Sequence, residues 1–354
     1  MKRSLPLVSV AVLAGLGLVR RVRRARERKR LAGKTAFVGG ASRGLGRAIA
    51  RELAAQGCRV VICARHREGL EEVRAELAAL GAEVYAEPCD LRNKEEVDAF
   101  VTNATDHLGP IDIVVTVAAT LEVGPIETMS VRDFDDAIRA IFKTALHPAL
   151  AVLPDMRARG SRAGRLRRGA GKPTLAFVTS VGGKIGVPHL APYSAAKFAV
   201  VGLAEALRAE VHKDGVSVLT IVPGLMRTGS WVHATFKGDA DREYAWFGSS
   251  ATAPFVTIDA DRAAQRIVRA IARGDEELVL TAPAKLAVRV HDLMPRAFAF
   301  AMSVFARLLP RAPEPFSAGA RGREGLDIER RAASPGVRYV RERGHRAATR
   351  HHQL

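Results

Sequence analysis

Tyr193 and Lys197 stand four residues apart, and thirteen residues before the tyrosine lies Ser180, at the end of the apolar run Leu175 to Thr179. On a helix, positions i and i+4 share a face one turn apart. An ammonium held there, together with the positive charge of an oxidised cofactor, favours the tyrosinate and pulls the phenol's pKa down from about 10 toward neutrality. A phenol tuned in this way can give or take a proton while a reacting centre changes charge. A lone Tyr-x-x-x-Lys is weak evidence, so the pair gains meaning only from its surroundings.

The second constellation is Gly39-Gly40-Ala41-Ser42-Arg43-Gly44-Leu45-Gly46. It lies between the strand-length run Thr35 to Val38 and a segment with Leu45, Ala48, Ile49 and Leu53 on one helical face. Glycines at 40, 44 and 46 let the backbone turn tightly and approach a pyrophosphate, which the free N–H groups and dipole of the following helix would hold. The spacing G-x-x-x-G-x-G departs from the commoner G-x-G-x-x-G, and no Gly-Lys-Ser/Thr follows as in a nucleoside triphosphate loop. About 20 residues on, the second apolar run ends Ile62-Cys63-Ala64-Arg65. An acid there holds a ribose 2′-hydroxyl, whereas an arginine accommodates a 2′-phosphate. Ala64 removes the first option and Arg65 with Arg43 offers the second. NADP(H) is therefore expected to be preferred, with NAD(H) still possible; the competing reading is that Arg65 merely begins a solvated helix.

The elements that must position these groups are legible from periodicity. Apolar runs at Thr35 to Val38, Arg59 to Cys63, Val84 to Ala86, Ile113 to Val117, Leu175 to Thr179, Ser217 to Val222 and Glu277 to Thr281 alternate with helix-period segments. Such alternation predicts an α/β fold: one domain, a doubly wound parallel sheet of Rossmann type, over residues 31–283. Residues 284–309 read as two apolar helices, the second (Arg296 to Leu309) too apolar for a solvated helix and suited to a lid, subunit or membrane contact. Residues 310–354, rich in Arg and Gly, read as a basic disordered tail.

Charge separates the body from its appendages. Of the net +18, residues 1–32 supply +9, residues 157–172 +7 and residues 310–354 +5, leaving −3 for the remainder. A near-neutral body argues against a nucleic-acid-reading fold and for contact of the appendages with a membrane surface or polyanion. The segment Arg157 to Lys172 reads as an exposed basic loop. Residues 1–30 read as a hydrophobic anchor with a basic flank. The apolar run Leu5 to Val19 would reach about 22 Å as a helix, short of a roughly 30 Å bilayer core, and the arginines behind it place the body on the cytoplasmic side. A signal peptide or disordered leader is the alternative. Cys58, Cys63 and Cys89 are odd in number, show no metal spacing and sit in or beside strand runs, so buried reduced thiols are expected and no metal.

Taken together, the Gly40/Gly44/Gly46 turn, Asp90-Leu91, Ser180, Tyr193-x-x-x-Lys197 and Pro223-Gly224-x-x-x-Thr228 resemble the short-chain dehydrogenase/reductase family in order and approximate spacing, from about Gly33 to Thr281. The resemblance implies that Ser42, Arg43 and Leu45 join the glycines around the cofactor, that Asp90 and Leu91 lie near the adenine and that Ala118 borders the dinucleotide. It implies Ser180 as donor to a substrate carbonyl, Tyr193 as general acid/base, Lys197 as the ribose-binding modulator of the tyrosine, and Pro223, Gly224 and Thr228 as the nicotinamide-side loop. Two departures stand out. Thr116-Val117-Ala118-Ala119 replaces the family's Asn-Asn-Ala-Gly, and Ile141 stands where the family often has an Asn tied to a water-mediated proton path.

The segment Gly229 to Thr257 matches the family's substrate lid and carries Trp231, Phe236, Trp246, Phe247 and Phe255. A bulky lipophilic substrate and a packed apolar lid are equally good explanations of it. The expected function is NADP(H)-linked interconversion of a carbonyl and an alcohol, with a lipophilic small molecule, a membrane surface and a second copy of the chain as partners. The alternative is a catalytically silent dinucleotide-binding regulatory or scaffold protein.

Overall fold

The computed structural model describes residues 25–117, 119–162, 171–253, 256–312, 314, 321–331 and 334–353. The apolar run 5–19 and Ala118 lie outside the described residues, as does the central part of the basic segment.

A helix at residues 25–31 (α1) leads into β1 (Thr35–Gly39). There follow α2 (Gly44–Ala55), β2 (Arg59–Ala64), α3 (Arg67–Ala79), β3 (Val84–Pro88), α4 (Lys94–Leu108), β4 (Ile111–Thr116), β5 (Glu122–Val123), α5 (Val131–Ala137), a π-helical stretch (Ile138–Lys143) and α6 (Thr144–Arg162). Next come β6 (Thr174–Val178), α7 (Ala191–Val211), β7 (Ser217–Val222), β8 (Met226–Arg227), β9 (Thr235–Phe236), α8 (Ala240–Thr252), β10 (Ile258–Asp259) and α9 (Ala260–Arg273). The chain continues through β11 (Glu277–Val279), α10 (Ala282–Leu293), α11 (Pro295–Ala306), β12 (Arg323–Glu324), α12 (Gly325–Arg331) and α13 (Pro335–Arg350).

Seven strands form one parallel sheet in the order β11-β7-β6-β4-β1-β2-β3. These are the seven runs expected from the sequence. Their Val- and Ile-rich continuity suits strands buried on both faces. Along β1 the side chains alternate: Ala36 and Val38 join Leu45, Ile49 and Leu53 of α2 and Ile267 and Ile271 of α9. Phe37 faces the other way, with Phe100 of α4, Val152 of α6 and Val200 of α7. The strand order reverses between β1 and β4, and at such a switch point a crevice opens outside the carboxyl ends of the strands.

Two expectations need correction. The segment read as a basic loop from Arg157 begins as helix, because α6 runs on to Arg162; Arg157 pairs with Asp214, and Arg159 with Asp112 and Asp155. The segment read as a disordered tail contains β12, α12 and α13, which form a cap. Ile328, Val337 and Val340 join Trp231, Phe236 and Tyr244 in a third apolar cluster. The contacts are made close by small residues rather than by large apolar ones. A Cβ on Gly344 would lie 2.2 Å from the Trp231 ring, one on Gly248 2.4 Å from Val340, and one on Gly229 2.4 Å from the Ala348 backbone. Charge adds to this: Tyr244 donates to Glu329, Arg323 pairs with Asp241, and Arg350 with Asp261. Among the described residues no helix is long and apolar enough to cross a membrane.

Candidate active site

Ser180 follows β6, and Tyr193 and Lys197 lie in the first two turns of α7, so the strand end and the helix start bring the three together. Ser180 Oγ accepts the Gly182 N–H at 3.1 Å and starts a short 3-10 turn. Lys197 is buried, and its Nζ donates to the Val178 carbonyl at 3.0 Å and lies 5.7 Å from the centre of the Tyr193 ring. Burial lowers the Lys197 pKa to about 8. Burial also pushes the Tyr193 phenol up, and a hydrogen bond with Ser180 draws it partly back. The lowering expected from the Tyr–Lys spacing is therefore not what the chain by itself produces: desolvation of the phenol prevails.

Two glycines missed in the sequence make this approach possible. A Cβ on Gly182 would stand 3.3 Å from the Tyr193 ring, and one on Gly183 2.8 Å from the Lys197 carbonyl oxygen. The signal was present, as Gly-Gly two residues after Ser180. Also missed was His189, which has a positive φ of 64° and bonds through Nδ1 to buried Glu243 at 2.8 Å. Glu243 accepts from Trp246 Nε1 at 2.6 Å, so the approach to α7 is tied to α8.

The glycine turn forms a cradle. Gly40 and Gly44 have φ of 81° and 58°, and a Cβ on Gly46 would fall 2.1 Å from the Gly40 carbonyl oxygen. Only glycine permits that closure. Arg43 occupies the cap position of α2 without a side-chain cap bond, which leaves the first helix amides to a ligand or to another segment. One of them is taken: Gly44 N donates to the His351 carbonyl at 3.0 Å. The Gln353 amide covers Gly44, since a Cβ there would lie 2.7 Å from its nitrogen. The Gln353 carbonyl in turn lies 2.8 Å from His233 Nε2, and Arg43 reaches the same ring nitrogen at 2.9 Å. The end of the chain thus crosses from the glycine turn to the loop after β8, a contact no sequence signal announced.

The other expected cofactor residues, Ala118 aside, lie in the glycine turn or follow the carboxyl ends of β2, β3 and β7. Arg65 follows β2 and is exposed, and its charge, after burial, helps lower the pKa of Arg43. Two neighbouring guanidiniums that disfavour each other make a place for an anion. Ser42 is half-buried in the turn. The Leu45 side chain belongs to the core, leaving only its backbone for a ligand. Asp90 follows β3, and the Arg92 guanidinium bonded to it holds its carboxyl below the usual range. Leu91 is buried against Gly39, and its carbonyl bonds to His147. At the end of β4 the Thr116 hydroxyl is buried and has no hydrogen-bond partner among the described residues. Pro223 follows β7 and accepts the Val181 N–H at 2.7 Å. A Cβ on Gly224 would meet the Thr281 hydroxyl at 2.5 Å, and buried Thr228 donates to Ser230 at 2.9 Å. The glycine cradle, the first α2 amides other than that of Gly44, and the Thr116 hydroxyl are suited to a dinucleotide, at a turn that His351 and Gln353 partly cover.

The departures from the family pattern take physical form. Ile141 is buried within the π-helical stretch, and its carbonyl already accepts the Thr144 hydroxyl at 3.1 Å. Of the lid aromatics, Trp231 and Phe236 are core residues of the cap, while Trp246, Phe247 and Tyr193 each pack partly buried against that core. Phe255 lies outside the described residues. Cys58, Cys63 and Cys89 are all buried, and burial raises the Cys58 thiol to about 12.

The profile of the short chain dehydrogenase family matches residues 34–236. A Drosophila melanogaster protein described as dehydrogenase/reductase SDR family protein 7-like is 29% identical over 314 residues, covering 86% of this chain and 91% of its own. The ketoacyl reductase HetN of a Nostoc species is 35% identical over 207 residues, 57% of this chain and 67% of its own. Among solved structures, a short-chain dehydrogenase from Streptomyces avermitilis superposes with a TM-score of 0.65 at 27% identity, over 77% of this chain and 97% of that one.

Proposed function

The chain belongs to the short-chain dehydrogenase/reductase family, and from that premise we propose that it interconverts a carbonyl and an alcohol on a lipophilic molecule with NADP(H) in preference to NAD(H). The observation that carries the reading is the convergence of Ser180, Tyr193 and Lys197 beside a glycine cradle that fits a dinucleotide. A bound nicotinamide supplies or accepts the hydride.

The residues of the chain do the rest. Ser180 and Tyr193, within hydrogen-bonding reach of each other, present two hydroxyls to a carbonyl oxygen and polarise it. In reduction the Tyr193 phenol gives its proton to the oxygen as negative charge builds there; in oxidation the tyrosinate takes the proton back. Lys197, cationic at neutral pH with a pKa near 8, is the positive charge nearest that phenol along α7. Its bond to Val178 holds it on the sheet side of the ring. Arg43 and Arg65 favour a 2′-phosphate, and no acid stands at Ala64 to hold a 2′-hydroxyl. Trp246 and Phe247, half-buried on the same apolar cluster as Tyr193, favour an apolar substrate. Because the three catalytic groups meet, the silent dinucleotide-binding alternative is the weaker reading.

The same proposal holds the body to the cytoplasmic face of a membrane through residues 5–19. Nicotinamide fluorescence titration, followed by NADPH absorbance across a panel of aldehydes and ketones, tests the enzymatic part. Tighter binding of NADPH than NADH and turnover of an apolar carbonyl are expected; equal binding of the two cofactors contradicts the preference. Deleting residues 1–30 is expected to shift the chain towards the soluble fraction with NADPH binding intact, and any residual membrane association would point to the apolar helix α11.

A further inference from the structure

The outer face of the α10–α11 pair is apolar and, among the described residues, uncovered. On α11 and the turn after it, Ala297, Phe300, Ala301, Val304 and Leu308 are all exposed, and their spacing of three and four residues puts them on one helical face. Helix α11 buries none of its residues. Leu286 and Leu293, seven apart on α10, are exposed as well. The exposures are 65% for Leu286, 81% for Leu293, 72% for Phe300 and 79% for Leu308, too high and too contiguous for incidental surface apolarity. Around this stripe stand Lys285, Arg289, Arg296, Arg307 and Arg311, all exposed, against the single acid Asp292.

We propose that this face docks on an anionic lipid surface, with the apolar stripe entering the boundary between headgroups and acyl chains and the five cations meeting lipid phosphates. An apolar stripe edged by Lys and Arg is the pattern of a helix lying in a membrane interface. The charge decides between a bilayer and a second copy of the chain. A two-fold pair would set this patch against itself and bring cations onto cations, whereas an anionic surface complements both features. The other side of α11 carries Phe305, whose ring meets Trp246 edge-on at 6.4 Å, and Trp246 packs on the cluster that touches Tyr193. The docked helix is therefore joined through Trp246 to the apolar cluster on which Tyr193 also packs. If the substrate is lipophilic, as proposed above, it reaches the catalytic cleft from the bilayer; the docking itself stands apart from that reading.

Hydrogen–deuterium exchange on the full chain, with and without phosphatidylcholine–phosphatidylglycerol vesicles, tests the docking without measuring turnover. Peptides covering 286–308 are expected to exchange several-fold more slowly with these vesicles, and less so with phosphatidylcholine alone. The variant Leu293→Glu/Phe300→Glu/Leu308→Glu, altered only at exposed positions, should lose the slowing while keeping its NADPH binding. The variant Arg289→Glu/Arg296→Glu/Arg307→Glu should lose the preference for anionic vesicles. Attachment to vesicles with 286–308 unprotected would place the contact in another segment and overturn the proposal. Protection without lipid that grows with protein concentration would assign the face to a second copy and overturn it equally.

Discussion

Tyr193 sits between two regions built on different principles. On one side are the ends of β1, β4, β6 and β7 with the first turns of α2 and α7, where glycine is required for a positive φ and where the proposed chemistry asks for a lysine's charge and a tyrosine's proton. On the other side is the cap of α8, α12 and α13, where smallness matters more than chemical type. Gly229, Gly248 and Gly344 each stand where a side chain would collide with the opposing segment. On the proposed function the first region holds ligands and charge, and the second closes a wall. A change in the first should therefore cost turnover with little loss of stability, and a change in the second the reverse.

Lys197→Ala should break this comparison most visibly on the catalytic side. Turnover is expected to fall by ~10² or more, with weaker NADPH binding, because the variant removes the cation beside the phenol. Steady-state kinetics with thermal melts of the same samples would show it. A variant that melted far below wild type in proportion to its lost activity would assign Lys197 to the scaffold instead.

The burial of Lys197 also has a pH signature. Its folded pKa, about 8, lies below the roughly 10.4 of an unfolded lysine, so the folded state releases this proton first. The penalty for burying the charge is full below pH 8 and is relieved as pH rises through 8 toward 10, so stability from this group increases across that window. At about 1.4 kcal/mol per unit, the relief is of the order of 3 kcal/mol. Urea unfolding of wild type and Lys197→Met at pH 7 and pH 9.5 should show wild type gaining on the variant. Parallel changes in the two would contradict the buried-charge account.

Gly344→Leu probes the cap. With the Trp231 ring 2.2 Å from the would-be Cβ, over-packing should cost about 1–3 kcal/mol of stability while NADPH binding persists. Unfolding curves with a cofactor titration separate the two effects. Arg65→Ala is the smallest change expected. Losing one charge-assisted contact to a 2′-phosphate should weaken NADPH by roughly tenfold and leave NADH unchanged, which narrows the preference between the cofactors.

How far these regions were legible in the sequence follows the same division. The seven strands announce themselves because both faces are buried and the Val/Ile runs are continuous. Helix α7 carries its Tyr–Lys pair at a spacing that names a shared face. The cap gave no such signal. The strands β5, β9 and β12 are two residues each, and α13 packs through glycine and alanine, which composition alone reads as disorder. The Arg-rich sequence there looked solvated, yet Arg323 and Arg350 bond to Asp241 and Asp261, acids more than eighty residues away. Within the site, the upward shift of the Tyr193 phenol in the chain alone had no signal in the sequence, because spacing reports the lysine's proximity and not the desolvation of the phenol. The crossing of His351 and Gln353 over Gly44 depends on where a long chain returns, which local pattern does not encode.

The central claim is that Tyr193 is the proton donor in carbonyl reduction, and Tyr193→Phe tests it most directly, because the ring is kept and only the hydroxyl is lost. With a carbonyl compound that wild type reduces, NADPH absorbance should show turnover falling by about 10²–10⁴ while fluorescence titration gives unchanged NADPH affinity and the melt is unaltered. Equal turnover by Tyr193→Phe and wild type would contradict it.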